Sequence, residues 1–261
     1  MAGRARGRPT PQQSLGVAKD PFIDELVAAC STARNGLTLP AQERDRVVED
    51  AFFRAAAALE TFLSEWLVRC LSFDASAFQA TYESRAANWA VNELRSRWEP
   101  SERLWKGRGT SAAVTVAIPI SKKHSLEETR TLLGTVDDNV SIRRMEDLVR
   151  LARDYLVDPY ARRPRNLGPQ RSAVLDATVA IRNVLAHRSA RASEQMNRCL
   201  RSSNLPPGLR RQQRAVSSSG VGYYLQATVA GQPRFERYLE LLAGISHRLA
   251  PTRGRNKAIC P

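Results

Sequence analysis

A chain of 261 residues with 43% apolar content can bury a substantial core, as one large domain or two small ones. Its formal net charge is +14, and 35 of its 40 basic residues are arginine. Such a surplus points to an anionic partner such as nucleic acid, or else records the codon bias of an arginine- and alanine-rich coding sequence. No stretch reaches the ~20 apolar residues of a membrane span, and the charged N-terminus has no apolar segment behind it to read as a secretory signal. The four cysteines, Cys30, Cys70, Cys199 and Cys260, form no CxxC pair and have no histidine at ligand spacing. Neither a disulfide framework nor a zinc site is therefore expected, and the expectation is a cytoplasmic protein with free thiols.

Residues 1–18 are poor in core-forming side chains and predict a flexible basic arm, leaving 19–261 as the folded domain. A first helix is expected with Asp20 as N-cap and Pro21 in its first turn, ending near Asn35-Gly36. From about Pro40 to Leu71, Val48, Phe52, Ala55, Leu59, Phe62, Trp66 and Cys70 recur at steps of four and three, the mark of a buried helical stripe. Residues 73–98 predict a further helix with Phe78, Tyr82, Trp89 and Leu94 as core contacts, folded back on the preceding one as an antiparallel hairpin. The pattern then breaks, and residues 99–170 look like a less regular insert. Within it, SAAVTVAIPI suggests a short strand or extended loop, and Ser125 with Glu128 forms a capping box. Residues 141–157 are amphipathic, and DPYARRPRNLGPQ reads as a loop. A helix over 171–188, a second loop over 201–222 and a last helix from near Pro233, packing Phe235, Leu239, Leu242, Ile245 and Leu249, complete an all-α bundle.

The helix over 171–188 carries AIRNVLAHRS, an apolar segment interrupted by Arg182, Asn183 and His187. At 100° per residue, Val174, Ala177, Ile181, Val184 and Leu185 form its core face. Asp176, Ala180, Asn183 and His187 fall on roughly the opposite side, where small Ala180 would admit a substrate or another backbone. Asn183 and His187, four apart, are expected to be neighbours. Arg182 and His187, five apart, diverge by roughly 140°. A two-fold dimer packed along this face would pair them across its axis.

Arg182-Asn183-Val184-Leu185-Ala186-His187 resembles the R-x4-H signature of the HEPN superfamily, in the form with a polar residue after the arginine. Chance would supply roughly 0.4 Arg/His pairs at this spacing, and about 0.014 once Asn must follow the arginine. EDAFFRAAAALETFLSEWLVRCL is similar to the first long HEPN helix, where an acidic residue supports the site; Glu60 fits that position best and Glu65 less well. GVGYYLQATVAGQPRFERYLELLAGISHRLA is similar to the closing segment of the RiboL-PSP-HEPN subgroup. The resemblance implies a HEPN-like helical bundle and a ribonuclease, acting as a toxin or in antiphage defence, that needs neither metal nor cofactor. It would cleave single-stranded RNA through the 2′-hydroxyl to leave 2′,3′-cyclic phosphate and 5′-hydroxyl ends.

Histidine, with an unperturbed pKa near ~6.5, suits general acid–base work at position 187. Arg182 would grip the phosphorane oxygens. Asn183 would orient phosphate or imidazole, and Glu60 would hold Arg182. Arg188, the run Arg162, Arg163 and Arg165, and the pair Arg210 and Arg211 are candidate RNA contacts, with a solvated basic loop as the alternative. His124 is expected on a surface loop, and His247 in packing or facing solvent. The implied partners are RNA, a second copy through the motif helix, and a restraining antitoxin or sensor. The competing readings are a non-catalytic HEPN-like module that binds RNA or protein, and a DNA-binding regulator, for which no helix-turn-helix is evident.

Overall fold

Two long helices, α1 (Pro11–Asn35) and α2 (Ala41–Phe73), set the frame of a computed structural model that describes residues 11–98, 116–117, 120–135, 139–211, 214–251 and 258–260. The seven residues of the α2 stripe, from Val48 to Cys70, are at most 2% exposed. Ala51, Ala56, Leu63, Leu67 and Leu71 are buried as well, so α2 is apolar over most of its circumference. Such a helix must be covered on several sides. At 33 residues it is about 50 Å long.

The antiparallel hairpin is formed by α1 and α2, not by α2 and the helix after it. Phe22 stacks on Phe62 with ring centroids 5.2 Å apart, Arg54 pairs with Glu25, and Arg69 donates to the Ser14 hydroxyl. A 3-10 turn at Gly36–Thr38 closes the hairpin. Helix α1 also begins earlier than its sequence signals suggest. Pro21 lies inside it rather than at its start, and Ser14, Leu15 and Ala18 are buried, so residues 11–18 belong to the bundle and not to an arm. Packing of one apolar face outweighs the backbone hydrogen bond that an internal proline removes.

Helix α3 (Ser76–Trp98) follows after a short break. It leans on α5 (Met145–Tyr155), through Phe78 against Tyr155 and Arg85 with Asp154. Phe78 is buried as expected, but Tyr82 and Trp89 are exposed and the Leu94 side chain lies outside the described residues. The suggested strand at 111–120 also lies mostly outside them; residues 116–117 and 120 carry no regular structure.

The later part of the supposed insert is regular. Helix α4 (Leu126–Leu133) starts with the expected capping box and rests on α2, where Arg130 meets Glu65. Helix α5 buries Leu148 and Ala152. A short α6 (Arg162–Arg165) replaces part of the expected loop, and α7 (Gly168–His187) takes in its last residues. Helix α8 (Ala190–Leu200), not foreseen from the sequence, packs on α7. A 3-10 turn at Pro207–Leu209, helix α9 (Val221–Gln226) and a two-stranded antiparallel hairpin (β1 Thr228–Val229, β2 Gln232–Pro233) lead to α10 (Arg234–Leu249). The five residues assigned to the core side of the last helix are all buried. The Trp66 indole N–H and Arg163 Nη1 both donate to the Leu249 carbonyl, tying the end of α10 to α2 and α6.

Cys30 and Cys260 are joined, with Cα atoms 5.8 Å apart, which corrects the expectation of free thiols for this pair, while Cys70 and Cys199 are free. Residues 230 positions apart carry no spacing pattern, so only the fold brings them together. No helix among the described residues is long and apolar enough to cross a membrane. Closing so long a loop restrains the unfolded chain by about 2–4 kcal/mol. Reduction, or Cys260→Ser, is therefore expected to lower the Tm by about 4–16 °C. A melt with and without reductant measures it, and coincident curves would mean that the bond contributes nothing in solution.

Candidate active site at the end of the motif helix

Pro169 in the first turn of α7 starts the helix with a preset φ, and Val174, Ala177, Ile181 and Val184 are fully buried against the bundle. The helix stops at His187. Arg188 follows in the left-handed conformation (φ 45°) and donates its backbone N–H to the Val184 carbonyl at 2.8 Å. The Ser189 hydroxyl then caps α8 by accepting from the Ala192 N–H. His187 thus sits on the last, exposed turn of its helix.

Arg182 lies about one and a half turns earlier and points to α2. Its Nη2 is 3.1 Å from Glu60 Oε2, its Nη1 donates to Asn183 Oδ1 at 3.1 Å, and its guanidinium lies 5.7 Å from the centroid of the Phe53 ring. The fold therefore joins Glu60, Arg182 and Asn183, three of the residues singled out from the sequence. Asn183 spends its carbonyl on the arginine, not on the imidazole. No hydrogen bond or ion pair links His187 to Arg182 or Asn183 among the described residues. Burial pushes the Glu60 carboxyl up, and the Arg182 guanidinium pulls it back only in part. Arg182 Nε is buried with no hydrogen-bond partner.

The face opposite the core is not open along its length. Ala180 is 4% exposed, and Asp176 accepts the Met145 backbone N–H at 2.7 Å, capping α5. Helices α5 and α8 cover this side, leaving only the His187 end accessible. Glu65, the weaker acidic candidate, serves Arg69 and Arg130.

Most of the candidate RNA contacts are engaged within the fold. Arg188 pairs at 3.0 Å with Glu49, whose other oxygen accepts the Gly222 N–H at 2.9 Å. Arg162 pairs with Asp158, and Arg163, packed on the Tyr160 ring, holds the Leu249 carbonyl. Arg210 donates to the Leu205 and Ser203 carbonyls, whereas the half-buried Arg211 bonds only through its backbone N–H, to Leu200, and its Nε has no hydrogen-bond partner. Arg165 stays exposed without a partner among the described residues. His124 is not a surface residue: its side chain is 11% exposed, with Nδ1 3.9 Å from Glu128. His247 Nδ1 lies 3.2 Å from Lys19 Nζ, and burial, then the lysine charge, hold its imidazole below the ordinary histidine range.

Glu49 and Phe53 were missed. Both were legible as heptad steps: Glu49 lies seven residues before buried Ala56, and Phe53 seven before Glu60, so each pair shares a face of α2.

The raised Glu60 carboxyl gives a prediction with a definite sign. Across the interval between its unfolded and folded values the folded state binds more protons, so this group favours folding at low pH and the contribution fades as pH rises through the folded value. Glu60→Gln is expected to match wild type below about pH 4 and to equal or exceed its Tm near pH 7. Thermal melts across pH decide this, and a lower Tm of the variant at neutral pH would show that attraction to Arg182 outweighs burial. No family model, curated protein or solved structure matches the chain.

Proposed function

We propose that the chain is a metal-independent endoribonuclease of the HEPN type, cutting single-stranded RNA as a toxin or antiphage effector. One observation carries the reading: Arg182, the residue suited to grip a phosphate, is held by Glu60, Asn183 and Phe53 on the helix that ends in exposed His187. In the reaction the RNA 2′-oxygen bonds to phosphorus and the bond from phosphorus to the 5′-oxygen breaks. A proton leaves the 2′-hydroxyl and one is delivered to the 5′-oxygen. His187 moves one of these protons, a contribution of about 10²–10⁴ in rate. Arg182 neutralises the charge that builds on the non-bridging oxygens.

The only three metal-capable side chains at ligand spacing among the described residues, Cys30, Glu236 and Cys260, lie outside the motif. Their cysteines are bonded to each other, and Arg34 grips the carboxylate through two hydrogen bonds. In this reading the chemistry is assigned to acid–base and electrostatic groups alone.

With Arg182 drawn toward α2 and unlinked to His187, the site is best completed by a second copy, each protomer giving its arginine to the other's histidine. Two experiments test these points. Wild type in excess EDTA is expected to cleave a quenched fluorescent single-stranded RNA, leaving a cyclic phosphate, while His187→Ala loses at least about 10²-fold in rate. Salt-sensitive RNA binding without turnover would instead make the chain a non-catalytic binding module. Mixing inactive Arg182→Ala with inactive His187→Ala should restore about a quarter of wild-type activity, because half the dimers are mixed and each holds one intact composite site. No recovery after subunit exchange would place the whole site within one protomer.

A further inference from the structure

A cleft of about 660 Å³ opens between the start of α2 and the segment from α9 to the start of α10. That volume is within the ~300–1,000 Å³ of small-molecule sites. Tyr223 stands at this cleft 69% exposed, between buried Gly222 and buried Tyr224. Its backbone is fixed on both sides. Glu49 accepts the Gly222 N–H, and a Cβ at Gly222 would lie 2.7 Å from the Asp45 backbone, so only glycine fits there. On the other side the Tyr224 hydroxyl donates to the Leu209 carbonyl at 2.7 Å. An aromatic ring is thereby held out to solvent on a rigid turn.

The cleft lining carries two arginines, Arg34 and Arg44, and two carboxylates, Asp45 and Glu236. Glu236 is taken by Arg34, and Asp45 accepts from the Gln226 amide. Arg44 forms no ion pair among the described residues, and its Nε is buried without a hydrogen-bond partner. Arg44 and the exposed phenol face of Tyr223 are thus open to a ligand, with the Asp45 carboxylate beside them.

One side chain ties the wall of the cleft to the motif helix. Glu49 binds the Gly222 N–H with one oxygen and Arg188, the neighbour of His187, with the other. One carboxylate thus sets the Tyr223 turn against the exposed end of α7.

We infer that this cleft is a nucleotide subsite, in which Tyr223 stacks on a base and Arg44 meets a phosphate of the RNA chain whose scissile bond lies at His187. The inference rests on the ribonuclease reading for its choice of RNA. A stacking platform beside a cation is sequence-tolerant, because every base presents a π-face. The subsite therefore adds affinity and reach along the strand without naming a sequence.

The test uses the full chain carrying His187→Ala, with a short fluorescein-labelled single-stranded RNA read by anisotropy. Adding Tyr223→Ala is expected to weaken binding about 5–150-fold, and Tyr223→Trp to restore it. Arg44→Gln should weaken binding evenly across sequences and lower the slope of log K against log salt by about 0.7, one phosphate's worth on a single strand. Tyr223 is exposed, so unchanged melting of its variants guards against a folding artefact. Unchanged RNA affinity in Tyr223→Ala would overturn the inference and leave the cleft to a protein partner. So would Tyr223→Leu binding as well as Tyr223→Trp, since stacking would then be irrelevant. Cleavage by wild type is scored separately. Binding without cutting sinks the ribonuclease reading and spares the subsite, whereas cutting with an indifferent Tyr223 sinks the subsite alone.

Discussion

The burial of α2 is the constraint on which the rest depends. A helix of about 50 Å with so many fully buried positions needs neighbours along its whole length, and α1, α4, α7, α9 and α10 supply them. Its few carboxylates must then find partners or bear the cost of leaving water. Three of them take a cation from a different part of the chain or from the next turn: Glu49 takes Arg188, Glu60 takes Arg182, and Glu65 takes Arg130 and Arg69. The first two pairs run in opposite chain directions, which makes α7 antiparallel to α2 and fixes its register. The candidate site is therefore a by-product of how α7 is docked. The same two contacts that align the helices place Arg182 against Phe53 and leave His187 at the rim.

The arginine surplus divides in the same way. Arg163, Arg210, Arg234 and Arg171 donate to backbone carbonyls at helix ends and in loops, so they replace the capping that the loops lack. Arginine suits this work because its planar fork keeps its charge and reaches two acceptors at once. A basic run such as RRPR thus says less about phosphate than its charge suggests. The cations that count for a ligand are those the fold leaves unspent, and among the described residues the candidate contacts Arg165 and Arg211 have side chains without a partner.

Legibility followed the length of the periodic pattern. The α2 and α10 stripes and the Ser125 capping box were readable because each is local and repeats or pairs within one element. Glu60 was named through the family resemblance and not from its neighbours, and it does pair with Arg182. Three features were hidden for physical reasons. Pro21 looks like a helix start, yet an apolar face continuing back to Leu15 overrides it. Tyr82 and Trp89 share a face with Phe78 but stay exposed among the described residues, so periodicity named a stripe that their packing uses only at Phe78. Ala180 looked accessible from α7 alone, and only α5 and α8, arriving from elsewhere in the chain, close over that face.

The Arg182 cluster is incompletely satisfied, as are the ion pairs of Glu25 and Arg69, whose Oε1 and Nε are also buried without a hydrogen-bond partner. Other buried polar groups are met more closely: Glu49 binds through both oxygens, and Tyr224 and Tyr238 share a hydrogen bond over the Leu209 carbonyl. At Arg182 the guanidinium keeps a buried Nε without a partner, and burial raises the carboxyl that faces it. A purely structural pair would gain by full engagement or by apolar replacement. Under-satisfied polar groups persist where a ligand completes them. A buried Nε without a hydrogen-bond partner recurs at Arg44 and at Arg211, so the deficit marks several arginines and not one site alone.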